Sequence, residues 1–595
     1  MNINTKILDG KGLYYSFVAG AQRVFDNQQH LNKINVFPVA DADTGTNFAS
    51  TMRSIIETVN PNANVRVTAA ALANAALIGA RGNSGIIFAQ FLYGFSVEIK
   101  SEGTITVESF ANSLKNSVKY AYEAISNPVE GTMITVIREW ADQVYLLKDT
   151  AEDFNSLLTQ SIQKAKISLE ETKTKLAVLA KAGVVDAGAK AFVLFLEGIL
   201  EFFQKGLKFL LGTKKLVKVV EMDAILHEEI TFRYCTEALL VGQNMNHEKI
   251  KRTLDKLGDS LVVAGSPEKT RIHIHTDEPT QVFYKMHKHG DITYQKVDDM
   301  IFQNNVVSAP RTKVAIMTDS TCDLPTEFID KHHIHVVPLN VHFGKNYFLD
   351  GVSISGKQFE KLFYSSKEYP STSQPSFKDF VNKYSYLSSH YDSVISMHIT
   401  SAMSGTHSNS QKAAKQVNTE NAKKFSVVDT KRISGSLGLM VYRATLMAEE
   451  GFSHEEITES IEKWKTNNYC FVTPISTKYM VKSGRLSPTK GFIAKLLKIK
   501  PVISVDQDGK AAEIGKAFTE RGSNLFVMRK VEELLKTKKV WNYAITHFKN
   551  QDTADWYASE MKRLTGKDPL FLKTVSPVIQ VNVGPGVVTL NIQFE

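Results

Sequence analysis

Cysteine is scarce. Cys235, Cys322 and Cys470 are the only three in 595 residues, too few and too scattered for a disulfide framework, so a reducing compartment is expected. The opening MNINTKILDGKG has no basic region followed by an apolar run, so no secretory leader and a cytoplasmic location are expected. No stretch is apolar over the thickness of a bilayer. The most lipid-like segment, Ala191 to Leu211, is broken by Glu197, Glu201, Lys205 and Lys208 at helical spacing, which suits a helix with one buried face better than a membrane span or an interfacial helix. No Walker A pattern occurs, which argues against a P-loop nucleotide site. Short-period repeats and low-complexity tracts are absent too.

What is present is ordinary for a globular chain: 43% hydrophobic and 22% charged residues. The length implies several cores. The net charge of +9 is spread along the chain, as on a solvated surface, with at most a weak attraction to anions.

Three textures follow one another. Up to residue 211, apolar residues recur at helical spacing (Leu13, Phe17, Ala21, Val24; then Phe48, Met52, Ile55, Ile56), and an all-α domain is expected. Residues 212–305 carry alternating runs, ITFRYCTEALLV, DSLVVAG and TRIHIHT, with helical stretches near His247–Leu257 and Thr280–His289: a small α+β domain. The segment 303–312, QNNVVSAPRT, reads as a linker. From 313 to 595, short apolar strands alternate with helices, as in an α/β domain.

The sharpest local pattern is NVFPVADADTGTNFASTM. Asp41 and Asp43 are two apart, so in an extended segment both carboxylates point the same way, and paired hard oxygens suit Mg²⁺. Thr44, Gly45, Thr46 and Asn47 lead into a helix whose first amides can face phosphate oxygens. An Asx turn with an N-cap explains the bare pattern as well. Two more Gly-bearing helix starts, GARGNSG and AGVVDAGA, point to a shared anion site.

These segments, with PVEGTMITVIREW, resemble the nucleotide-binding domain of dihydroxyacetone kinases and bacterial fatty acid kinases, with NVFPV and PVEGTM favouring the latter. The resemblance implies an eight-helix barrel of DhaL type holding ATP over Mg²⁺. Asp41 and Asp43 would be metal ligands, and Thr44, Gly45, Thr46, Asn47, Ser84 and Gly85 phosphate contacts. Thr132, Met133 and Asp186 would lie near base and sugar. Ala40 and Ala42 stand where the family usually has Pro and Gly, removing no ligand.

On TRIHIHT, His273 and His275 face one side of a strand, and Cys235 lies centrally in a neighbouring one. The trio has the ligand types for Zn²⁺ with one position open, although two histidines on a strand face are also simply half-exposed polar residues. YCTEALL, GDSLVVAG and IHIHTDEP resemble the middle domain of fatty acid kinases, which implies zinc binding and phosphoryl transfer at Cys235, His273 and His275.

VAIMTDSTCDLP, PSTSQPS, ITSAMSGTHSNS and VGPGVV are turns rich in small donors, able to hold a carboxylate. Together they resemble the DegV family of fatty-acid-binding proteins, a two-lobed α/β fold. The resemblance implies head-group contacts at Ser371 and Ser401, with Thr372 and Ser404 beside them. It also implies a docking role for Arg485 in KSGRLS. Asn582 replaces the family's usual His before the GPG turn; as a head-group contact its amide can still donate to a carboxylate, but the positive charge is lost there.

The whole reads as a fatty acid kinase fused to its acyl carrier, taking ATP, Mg²⁺, Zn²⁺ and a fatty acid. An acyl-phosphate acyltransferase, a membrane surface and a homodimer are compatible partners; nucleic acid is not. The rival readings are a kinase whose last domain only docks separate carriers, and a non-enzymatic lipid-binding or regulatory protein.

Overall fold

The computed structural model describes residues 6–37, 43–101, 103–206, 230–309, 311–421, 424–485 and 499–595. The chain divides into two compact units, Met1–Ile301 and Phe302–Glu595.

The first unit opens with helices: α1 (Gly10–Asp26), α2 (Gln28–Lys33), α3 (Thr44–Thr58), α4 (Val65–Gly79), α5 (Gly82–Glu98), α6 (Val107–Ala124), α7 (Met133–Leu147), α8 (Phe154–Lys175), α9 (Ala177–Ala182) and α10 (Ala187–Lys205). Leu13, Phe17, Ala21 and Val24 are buried, as the helical spacing requires. Neighbour packing closes into a ring: α1 on α10, then α8, α7, α6, α5 and α4, and back to α1. Its centre is aromatic. Phe88 lies 5.0 Å from Phe48 and 5.1 Å from Phe195, ring centre to ring centre. The apolar run that begins at Ala191 lies in α10, whose half-buried carboxylates are paired with cations of neighbouring helices: Glu197 with Lys166 at 2.8 Å and Glu201 with Arg23. Residues 207–211 of that run, Lys208 included, lie outside the described residues. Among the described residues no helix is long and apolar enough to cross a membrane.

A four-stranded antiparallel sheet follows: β1 (Tyr234–Val241), β2 (Gly258–Gly265), β3 (Lys269–Thr276) and β4 (Asp291–Asp299), in the order β2-β3-β1-β4. Strand β1 starts only at Tyr234, so Cys235 sits at its beginning rather than its centre. Strand β4 (DITYQKVDD) has few apolar residues to mark it in the sequence and is held by pairing along β1. The sheet shares the helices' core through Val262 and Ala264. Hydrogen bonds join them as well: Gly265 N donates to the side-chain Oε1 of Gln90 at 2.6 Å, and Ser126 N to Leu261 O at 3.1 Å.

The stretch expected as a linker is helical within Met300–Ser308, because Val306 is buried in the second unit's core. That unit has two main sheets. Four parallel strands run in the order Lys424–Asp429, Ser393–His398, Val314–Asp319, His335–Val337. Six strands form the other, Ala511–Ala517, Lys500–Val505, Asn468–Thr473, Val588–Phe594, Val540–His547 and Phe571–Thr574, antiparallel except for the last pair. The helix Ser434–Glu449 packs on both sheets, burying Leu437, Met440, Val441 and Ala444. A three-stranded sheet carries Ser371–Ser373 at one edge. The multidomain order is therefore helical, small sheet, then α/β.

Candidate functional site

In the first unit, two adjoining clefts gather residues from the helical and sheet parts. The smaller, about 40 Å³, is lined by Asp43, Thr44, Asn47, Asn83 and Ser84 from the helical side and by Cys235, His273 and His275 from the sheet. The larger, about 270 Å³, is lined by Thr132, Met133, Asp186, Asp259 and Ser260 among apolar side chains. Phe37, Asn83 and Ser84 border both.

Local packing explains these positions. The α4–α5 turn is tight because Gly82 takes φ +58°, where a Cβ would meet Asn47 Nδ2 at 2.5 Å. Ser84 approaches α10 because residue 188 is glycine; a Cβ there would lie 2.5 Å from Ser84 Oγ. Asp186 caps α10, accepting from Ala189 N at 2.7 Å, and burial raises its carboxyl to about 6. Not every expected contact faces the clefts. Gly45 lies against Gln28 and Asn32 of α2, and Thr46 N donates to Asn32 Oδ1 at 2.9 Å. Gly85 packs on Thr51. Asp41 lies outside the described residues.

Cys235 pairs in register with His275 across β1 and β3. Its sulfur is 3.9 Å from His273 Nδ1, and the three candidate ligand atoms lie within 4.8 Å of one another. Burial pushes His275 down to about 3, with His273 adding to the effect, so the imidazole is held neutral and ready to ligate. Burial, then Glu237 and Asp298, push the Cys235 thiol up; a bound cation would reverse that. His273 Nε2 is buried without a hydrogen-bond partner. This donor set fits Zn²⁺.

Glu237, missed in the sequence, organises this region. Its carboxylate accepts from Gly82 N at 2.7 Å and from Arg271 Nη2 at 2.8 Å, and lies 3.7 Å from His273 Nδ1. Despite burial, His273 and Arg271 hold its pKa well below the usual carboxylate range. Arg271 stacks its guanidinium 4.3 Å above the Tyr294 ring. The signal was a lone carboxylate in an otherwise apolar strand run, TEALLV.

The second unit holds an apolar cavity of about 120 Å³. Ile399, Met403, Ile433, Val472, Met480 and Ile579 supply its walls, while Thr372, Ser404, Arg485 and Asn582 line it with polar groups. Ser371 and Ser401, the expected head-group contacts, do not line it. Both are exposed, and Ser401 Oγ donates to Asp429 Oδ2 at 2.5 Å. Asn582 Nδ2 donates one of its two hydrogens to Val578 O at 2.7 Å, within its own helix, which leaves one for a ligand in the cavity it lines. Arg485 borders the cavity, with Nη1 donating to Ser483 O; Leu486 and Ser487 of its motif lie outside the described residues. A buried network fixes the loop after Ser393–His398. Asp319 Oδ2 accepts from Ile399 N at 2.9 Å and from His398 Nδ1 at 3.0 Å, and His398 Nε2 meets Ser410 Oγ at 2.7 Å. Asp, His and Ser in file suggest a hydrolytic triad, but all three are fully buried, so they position the loop.

Comparison with known proteins agrees with this division. Residues 38–201 match the family model "DAK2 domain", residues 231–307 the FakA-like middle domain of fatty acid kinase, and residues 313–595 "Uncharacterised protein, DegV family". An uncharacterized protein of Staphylococcus epidermidis is 35% identical over 319 residues, covering 50% of this chain and 56% of the relative. The chain thus spans about half the length of the curated relatives it matches. Among solved structures, a fatty-acid-binding DegV family protein from Thermus thermophilus is 26% identical, with a TM-score of 0.43 over 48% of this chain and 100% of its own. The Streptococcus pneumoniae fatty acid kinase B3 protein, loaded with linoleic acid, is 22% identical, with a TM-score of 0.42 over the same shares. The chain is a DAK2 domain, a FakA-like middle domain and a DegV-family domain in succession.

Proposed function

We propose that the chain is a fatty acid kinase that carries its own acyl-binding domain, converting ATP and a fatty acid into ADP and an acyl phosphate. The observation that carries this reading is the gathering of Asp43, Thr44, Asn47 and Ser84 with Cys235, His273 and His275 around one small cleft that adjoins a larger, more apolar one. The larger cleft suits a nucleotide base and the smaller its phosphates. In the reaction a carboxylate oxygen of the fatty acid attacks the γ-phosphorus, the bond to the β–γ bridging oxygen breaks, and ADP leaves with the electron pair. Phosphoryl transfer of this kind depends mainly on positioning and on neutralising charge.

Asp43 would hold Mg²⁺ together with Asp41, and that ion neutralises phosphate charge when bound. Cys235, His273 and His275 would hold Zn²⁺, which supplies a Lewis-acid contact to an oxygen. The protein's own part is to fix the turns: Glu237 ties the Gly82 amide to the His273 strand, and Gly188 lets Ser84 close over the junction of the clefts. In the second unit, the apolar cavity would hold the acyl chain, with Thr372 and Ser404 near its head group.

The test is to supply the purified full-length chain with ATP, Mg²⁺ and a long-chain fatty acid, and to trap acyl phosphate with hydroxylamine. Mass spectrometry of copurifying lipid runs alongside. Hydroxamate formation together with bound fatty acid supports the fused enzyme. A folded chain that hydrolyses or binds no ATP overturns it. One observation favours a second reading: Asn582, which lines the cavity, brings no positive charge to a carboxylate, and one of its two amide hydrogens is already bonded to Val578 O. If lipid neither copurifies nor enters on addition, yet acyl phosphate forms once a separate acyl-carrier protein is supplied, the last domain is a docking platform.

A further inference from the structure

Strand β2 carries a bulge. Asp259 pairs with His275 and Val262 with His273, so Ser260 and Leu261 stand opposite the single residue Ile274. Within the bulge Ser260 takes φ +53°, a left-handed conformation unfavourable for a residue other than glycine. The helical part fixes the bulge from the other side. Ser126 N donates to Leu261 O at 3.1 Å, and Ile125 bridges Val262. The bulge therefore brings Asp259, Ser260 and Leu261 into the lining of the larger cleft, together with Thr132, Met133 and Asp186. The same carboxylate lies 3.6 Å from Nδ1 of His275, which lines the smaller cleft.

Asp259 thus stands where the two clefts meet. A nucleotide spanning them puts its base against the apolar walls and its phosphates beside Asp43 and Thr44, which leaves the sugar at the junction. A carboxylate there cannot serve phosphate oxygens, because like charges repel; it can accept from a hydroxyl. Resting on the nucleotide reading given above, we infer that the β2 bulge is a wall of the nucleotide site and that Asp259 accepts a hydrogen bond from a ribose hydroxyl. The helical part then holds an incomplete nucleotide site, and the sheet supplies its sugar specificity.

The experiment is equilibrium titration of the full-length chain, with Mg²⁺ present, by ATP, 2′-deoxy-ATP and 3′-deoxy-ATP. The parent chain should bind one deoxy analogue more weakly than ATP by about tenfold or more, the ratio for a hydrogen bond to a charged acceptor. Asp259→Ala should bind all three alike. Asp259→Asn, which keeps an acceptor oxygen, should retain an intermediate discrimination. An Asp259→Ala chain that discriminates as the parent does overturns the inference, as does a parent that binds all three equally. A variant that loses only its bound zinc would also overturn it, making Asp259 a partner of His275 alone. Failure of the parent to bind ATP at all overturns the nucleotide reading, and the inference with it.

Discussion

The carboxylate of Glu237 accepts the backbone N–H of Gly82 at 2.7 Å, across 155 positions of sequence. The second oxygen of Glu237 pairs with Arg271, and the two side chains are 2% and 1% exposed. Removing one partner of such a pair strands the other charge out of water. Glu237→Ala should cost about 3–5 kcal/mol of stability, read from denaturant unfolding. Glu237→Gln keeps an acceptor for Gly82 and should lose less. Equal loss in both would mean that the Gly82 bond contributes little.

Asp43 lies in the α3 turn and lines the small cleft. Asp43→Asn keeps the size of the side chain and removes a charged oxygen ligand. Mg²⁺-dependent ATP turnover should fall to background while circular dichroism stays that of the parent. Turnover near the parent rate in a folded variant would rule out the magnesium assignment.

For the sheet site, elemental analysis should find about one zinc per chain, as one three-ligand site requires. His275→Ala should lose zinc and acyl phosphate formation but still bind ATP. An active parent chain free of metal would leave Cys235, His273 and His275 as polar packing alone.

In the second unit the hydroxyls divide into two groups. Ser404 and Thr372 line the apolar cavity, whereas Ser401 is turned to Asp429. Fatty acid retention should weaken by about 0.5–1.5 kcal/mol in Ser404→Ala, the worth of one hydrogen bond. In Ser401→Ala it should stay at the parent level. Competition with a fluorescent acyl probe measures both, and the reverse order would move the head group to Ser401.

Asp350 is buried and accepts from Val578 N at 3.2 Å; burial raises its carboxyl to about 7. Its ordinary value is 3.8, so between about 4 and 7 the unfolded chain ionises here while the folded one stays protonated. Its contribution to stability is therefore full below that range and is lost as pH rises through it. Asp350→Asn removes this slope. The variant should gain on the parent as pH rises from about 4 to about 7, and the difference between them should stay constant above that. A stability difference that does not change with pH would show that Asp350 is ionised in the folded state.

The sequence made most of the architecture legible, because it rests on periodicity: helical spacing before α10, alternation in RIHIHT, short apolar strands after residue 313. His273 and His275 could be placed together because two residues apart on a strand share a face. Glu237 and Asp259 could not be placed, since their roles come from pairing between segments distant in sequence. The helix Met300–Ser308 was hidden because its anchor, Val306, draws its burial from the second unit's core. Ser401 and Ser404 occupy one turn, and only the fold decides which of the two lines the cavity.

Val262 and Ala264 belong to the same hydrophobic cluster as Phe88 and Leu77, and Gly265 is bonded to Gln90. Neither the helical ring nor the sheet therefore finishes its interior alone. A fragment cut at residue 206 would expose to water the surface the sheet now covers. In calorimetry, helices and sheet should melt together as a single heat-absorption peak rather than as two. Thermal cooperativity would then link the nucleotide turns to the Cys235–His275 strand pair, and a ligand that tightens either should raise the melting temperature of both.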